Sequence, residues 1–358
     1  MAQRLVLYPG MGKTGTTALQ IFLRCSGDEL AAHGYSYLGD PLQGDPTTVG
    51  SGNGWVIVQA LRNEELSDDE VEAVVNAQLP AEGDAIIASE IMVSLTPQQW
   101  TRFANLPEVA ARDVSVVVAN RDLYPAAWSG YNQLIKRHGY SGECSTYVEQ
   151  NFTVGGDRFA HIEELRACFG AENLTMLHYE SSRHALLEAL LSAGGIPTDG
   201  LNLARGGSNE RPYNRSLNGA ERAVMKAVNE KYGTRYSTPL SNLLLRHNPR
   251  DKAEVMLDQK ALDYLDSNFG EQFTRANELY FGGKPVLQIC SDELRQAFAS
   301  GGRDANEPPS AASCRAALRV LLRKERKHLP DDQIYDFLKE LRSELRATKE
   351  IPLNTEGG

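Results

Sequence analysis

The stretch RLVLYPGMGKTGTTALQIFL, residues 4–23, constrains this chain more than any other. Leu5, Val6 and Leu7 form a short apolar run of the kind a buried strand needs, while Leu19, Phe22 and Leu23 recur at helical spacing. Glycines lie between the two patterns. The chain is therefore expected to pass from a strand through a tight turn into a helix opened by Thr16 and stopped at Gly27. A buried strand feeding a helix is the first half of an α/β unit, and it commits the chain to a sheet that other strands must join.

Those strands are legible downstream as AIIASE (85–90), VSVVVANR (114–121) and NLTMLHYE (173–180). Helices are expected over 66–79 behind Ser67, through Trp100 and Phe103 behind Thr96, and near 125–137. Continuous apolar strands alternating with helices predict an α/β fold, with a doubly wound, mostly parallel sheet covered by helices on both faces. A helix carrying Ala220, Val224 and Val228 and another over 260–280 follow. Residues 300–311 are polar and rich in Pro and Gly, and two amphipathic helices follow at 315–328 and 331–345. The expected organisation is an α/β domain over 1–283, a linker over 284–311 and a helical C-terminal extension over 312–358. The extension is expected to pack on the domain or to mediate self-association.

The turn after the first strand superficially matches a triphosphate-binding loop, G-x-x-x-x-G-K-[ST]. Counting back from Gly12-Lys13-Thr14, the first glycine of that pattern falls at position 7, where Leu7 belongs to the strand. Lys13-Thr14-Gly15-Thr16-Thr17 makes better sense as the working unit. It places a lysine, a glycine and three hydroxyls where a helix N-terminus offers its N–H groups to an anion. A second cation, Arg121, stands at the tip of the strand 114–121, with Ser129 eight residues further on. Tips of parallel strands are where α/β sheets bind ligands. The ligand is expected to carry two anionic groups.

Bulk properties narrow the partners. The net charge of -10 gives no electrostatic footprint for nucleic acid or an anionic membrane surface, so an anion must be held by a local pocket. No apolar run is long enough to cross a bilayer. The five cysteines are scattered without ligand spacing and read as reduced thiols, so a cytoplasmic location is expected, with no metal.

Taken together these segments resemble the PAPS-dependent sulfotransferase family, in its bacterial branch. KTGTT (13–17) resembles the 5′-phosphosulfate loop of that family, and the strand–Arg121–Ser129 spacing is similar to its 3′-phosphate motif. IIASE, RPYNRSLNGAE and NFGEQFTRANELYF are similar to segments of bacterial members, so the resemblance covers residues 1–283. It implies a P-loop-like fold that uses 3′-phosphoadenosine-5′-phosphosulfate (PAPS), releases 3′-phosphoadenosine 5′-phosphate (PAP), and sulfates a hydroxyl of a glycan, glycolipid or small metabolite.

The resemblance also implies roles. Lys13, Thr14, Gly15, Thr16 and Thr17 would hold the 5′ end, and Arg121 and Ser129 the 3′-phosphate. The late RKGxxGxW-type segment of the cytosolic branch is missing, and Arg205 or Arg211 of the polar loop 204–218 is the expected substitute. Lys13 would stabilise charge on the leaving oxygen. Glu90, expected to end a strand beside the first, would accept the acceptor's proton, with His33 and His138 as rival bases. Trp55 and the loop 39–56 are expected on the acceptor side. Two alternatives stay open: a P-loop kinase or NTPase with a divergent loop, for which Glu90 is the expected metal ligand, and a non-catalytic nucleotide-binding module.

Overall fold

The computed structural model describes residues 2–11, 14–42, 50–152, 158–182, 184–206, 215–247, 254–302 and 304–347. The chain divides into two compact units. The first comprises residues 1–122, 156–209 and 271–288, and the second residues 123–155, 210–270 and 289–358. The division is thus interleaved along the chain rather than linear. The expected C-terminal extension falls in the same unit as residues 210–270, and the expected linker contains a helix, Asp292–Ala299, capped by Ser291.

The first unit is a sheet of five parallel strands flanked by helices, an arrangement compatible with a doubly wound fold. Its strands are β1 (Arg4–Tyr8), β2 (Tyr35–Ser36), β3 (Asp84–Ala88), β4 (Asp113–Asn120) and β5 (Leu174–His178). They lie in the order β2-β3-β1-β4-β5. The chain therefore leaves β1 towards one side and leaves β4 towards the other. Such a reversal opens a crevice at the strand tips, and residues 9–11, which follow β1, lie at the tip of that strand.

Side-chain alternation explains the two buried faces. Val6, Tyr8, Ile86, Ala88, Val117 and Ala119 pack with Leu19, Phe22 and Leu23 of helix α1 (Thr16–Cys25) and with Leu190 and Leu191. Leu5, Leu7, Ile87, Val116 and Val118, the intervening positions, are equally buried and belong to the opposite face.

Three local expectations are revised. α1 stops at Cys25 and Gly27 opens the next helix, Gly27–Ala32, so that glycine is a start rather than a stop. β3 ends at Ala88, and Glu90 begins a short 3-10 turn, Glu90–Ser94, instead of ending the strand. β2 has only two residues, too few to leave a periodic signal in the sequence. The capping expectations hold: Ser67 and Thr96 each accept from the backbone N–H three residues on, and each receives a return contact in a capping box.

The second unit is helical. Asp258, fully buried, accepts from the backbone N–H groups of Ser145 and Ala261, at 2.9 and 3.1 Å, and so fixes the starts of two helices. Asn229 ties helix Gly219–Tyr232 to the chain around helix Leu123–Arg137 by donating to the carbonyls of Ile135 and Tyr140. Among the described residues no helix is long and apolar enough to cross a membrane.

Candidate functional site at the strand tips

The loop after β1 is strapped to the chain after β3. The Gly10 N–H donates to the carbonyls of Tyr8 and Ser89, and the Ser89 N–H donates to the same Tyr8 carbonyl. Gly10 is obligatory at this approach, because a Cβ there would lie 2.1 Å from Thr16 Cγ2 and 3.5 Å from the Glu90 Cα. The strap brings Thr16 to Glu90, with Oγ1 and Oε2 3.4 Å apart and both residues half-buried. These two residues are far apart in sequence and meet only because β1 pairs β3.

Gly15 is the N-cap of α1, in the left-handed conformation at φ 81°, and makes no side-chain cap. The first N–H groups of the helix are thus left without a capping side chain, which suits an anion. A Cβ at Gly15 would meet Leu186 at 2.2 Å and the Tyr179 ring at 3.8 Å. At both glycines the space a Cβ would take is filled by the protein itself, by Thr16 at Gly10 and by Leu186 at Gly15. Thr14 is revised: it is buried, and its hydroxyl donates to the Met11 carbonyl, so it braces the loop from inside instead of facing a ligand. Lys13 and Arg211 lie outside the described residues.

Tyr179 connects the loop to Arg121. The Arg121 guanidinium lies 4.8 Å from the centre of the Tyr179 ring, and its Nε donates to Glu180 at 3.0 Å. Glu180 accepts in addition from the Asp122 N–H at 3.1 Å. His178 completes the group, with Nε2 3.2 Å from both Asp122 and Glu180 and Nδ1 2.7 Å from the Ser181 hydroxyl. Asp122 also accepts from the Gln288 N–H at 3.0 Å.

Register makes this cluster. Asn120 of β4 pairs His178 of β5, so the residues just beyond each strand emerge side by side. Burial opposes a charge on His178, but its hydrogen bonds to Asp122 and Glu180 outweigh that and carry its pKa up to about 9. Burial likewise opposes charge on Glu180, yet the His178 bond and the Arg121 charge hold its carboxyl below the ordinary range. At neutral pH two cations face two carboxylates, and the charges balance.

The cluster corrects one premise of the sequence reading. The tip of β4 delivers an acid as well as a cation, so Glu90 is not the sole acidic side chain at the strand tips. Asp122, His178 and Glu180 also offer ligand atoms that lie within 4.8 Å of one another. The signal was present as NRDL and LHYE, titratable residues directly after apolar runs, but only the strand order makes them neighbours.

Arg205 donates to the Cys25 carbonyl at 2.9 Å and pairs with Glu29 at 3.2 Å, so it braces the ends of the first two helices. Ser129, half-buried on helix Leu123–Arg137, belongs to the second unit, as does the exposed His138. His33 closes the short helix Gly27–Ala32. Trp55 is 41% exposed in the first turn of helix Gly54–Arg62, so it is not a core residue. A Cβ on its neighbour Gly54 would lie 2.9 Å from the Ser89 Cβ, which puts that helix start beside Glu90. Buried Asn53 holds the segment there by donating to the carbonyls of Leu38 and Ile86 and accepting from the Ala88 N–H.

No protein-family model matches the chain, and no curated protein matches it.

Proposed function

We propose that the chain is a PAPS-dependent sulfotransferase acting on a hydroxyl of a small metabolite, glycan or glycolipid. The observation that carries this reading is the convergence of three separately predicted pieces. The end of the loop touches Glu90 through Thr16 and approaches, through Gly15, the Tyr179 ring on which Arg121 rests.

In this reading the Gly15–Thr17 backbone and hydroxyls hold the 5′ end of the nucleotide, and Arg121 pairs with its 3′-phosphate. Glu180 fixes the guanidinium through Nε and Tyr179 supports its face, so Arg121 is oriented before any ligand arrives. Glu90 takes the proton of the acceptor hydroxyl as that oxygen bonds to sulfur and the bond from sulfur to the leaving phosphate breaks. Trp55, exposed in the first turn of the helix that starts beside Glu90, offers a face on which an acceptor ring can stack.

A second reading, metal-assisted phosphoryl transfer from a nucleoside triphosphate, is favoured by the Asp122–His178–Glu180 ligand set. One measurement separates the two. Thermal stabilisation by PAP without a divalent ion is expected to exceed that by ATP with Mg²⁺. Stabilisation by ATP–Mg²⁺ alone sinks the sulfotransferase reading.

A further inference from the structure

Helix Gly219–Tyr232 of the second unit carries a guanidinium at a position where packing asks for an apolar side chain. Arg222 is only 5% exposed, and its head group lies 4.7 Å from the centre of the Trp128 ring. Its Nη2 donates to the thioether of Met256 at 2.8 Å, a weak acceptor for so strong a donor. Its Nη1 has no hydrogen-bond partner among the described residues. Burial lowers its pKa, and the neighbours that favour its charge are Tyr131, Cys144 and Tyr124, none of them a carboxylate.

One turn along, half-buried Lys226 has its pKa lowered by burial and then by the Arg222 charge, while Glu143 and Glu230 favour its charge. Of the buried carboxylates of this unit, Asp258 is committed to the two helix starts described above, Glu221 pairs with Arg215 and Glu325 with Arg246. A buried ion without a counter-ion carries a penalty of several kcal/mol. Sequences that need only to fill a core avoid it, so the lack of a counter-charge among the described residues points to a ligand.

There is room for one. Met256 also forms part of the wall of a cavity of about 1150 Å³ within the second unit. Arg319 and Lys324 stand on the same wall. Of the carboxylates there, Glu221 is held by both terminal nitrogens of Arg215 at 2.7 Å, and Glu254 and Glu307 are exposed, where water screens them. Arg319 and Lys324 are exposed as well, so the wall carries both signs, and the link to Arg222 is its bond to Met256 of that wall. An unbranched methionine is the side chain best able to turn aside.

We propose that this cavity binds a small oxyanion ligand, with Arg222 as the anchoring cation and Met256 as the side chain that gives way. The shared chemistry is a planar or tetrahedral oxyanion able to take two parallel N–H bonds from one guanidinium. A carboxylic acid and a phosphate or sulfate ester both supply it.

The test uses the full chain at fixed ionic strength, titrated with inorganic phosphate and separately with succinate, with chloride as the control. At least one oxyanion is expected to raise the melting temperature saturably and to change the Trp128 emission, and the better of the two identifies the class. Arg222→Met is expected to melt at or above the wild type without ligand, because it removes an uncompensated charge. It is also expected to bind the anion at least about tenfold more weakly. Arg222→Lys, which keeps the charge but loses the fork, should fold and show an intermediate affinity. Equal anion affinity in wild type and Arg222→Met would overturn the proposal. So would the lack of saturable binding of either probe, or an Arg222→Met protein that melts far below the wild type.

Discussion

The row of strand tips is built in two different ways. At β1 and β3, Thr16 and Glu90 share a long contact of 3.4 Å, beside a helix start with no capping side chain. At β4 and β5, Arg121, Asp122, His178 and Glu180 close on one another at 3.0 to 3.2 Å, and every charge has an opposite beside it. The first arrangement leaves a carboxylate little committed, as a group that must take a proton requires. The second holds a cation in one orientation, as a group that must recognise a fixed anion requires. Looseness and rigidity are thus placed at neighbouring strand tips of one sheet.

Breaking the loose side should have the largest effect. Glu90→Gln is expected to lower the turnover of sulfuryl transfer by about 10²–10⁴-fold while leaving nucleotide affinity nearly unchanged. A variant that retains full turnover would move the base elsewhere. Arg121→Ala attacks the rigid side and is expected to weaken a 3′-phosphorylated nucleotide by about 10–100-fold, through loss of a charge-assisted pair. The 3′-hydroxyl analogue should be affected far less, and equal losses contradict the assignment.

The rigid cluster can be set against the buried His161 of helix Arg158–Phe169, whose pKa responds in the opposite direction. Burial lowers the His161 pKa to about 4, and neither ring nitrogen has a hydrogen-bond partner among the described residues. The unfolded chain therefore takes up this proton first. Stability from this residue is full above about pH 6.5 and falls as the pH drops towards 4, by on the order of 2 kcal/mol. Urea melts of His161→Phe should lose that acid slope.

His178 runs the other way, since its folded pKa is raised to about 9. Its contribution is full below about pH 6.5 and disappears as the pH rises through 9. It amounts to on the order of 1–2 kcal/mol once solvent screening of this half-buried group is discounted. A His178→Gln protein should show a flatter alkaline limb. An alkaline limb identical to that of the wild type would mean that the cluster is not held by a charged histidine.

Much of this was legible in the sequence. The strand–turn–helix at 4–23 set the fold class; Gly15 and Thr16 were singled out at the turn into its helix, and Glu90 and Arg121 because each follows an apolar run. Thr14 was misread because a hydroxyl that faces a ligand and one that braces the loop look alike in a sequence. Arg205 was misread because its partners, Cys25 and Glu29, lie at the other end of the unit's chain. His178 and Glu180 were passed over because nothing local marks them as neighbours of Arg121.

The sequence by itself determined the kinds of element and their order, because apolar periodicity and capping act within a few residues. The tertiary structure decided what stands beside what. The order β2-β3-β1-β4-β5 put Glu90 against Thr16, and the pairing of Asn120 with His178 closed the charged cluster. Helix packing in the second unit laid Arg222 on Trp128 and under Met256. Strand register and helix packing join residues far apart in the chain, and no local pattern encodes them.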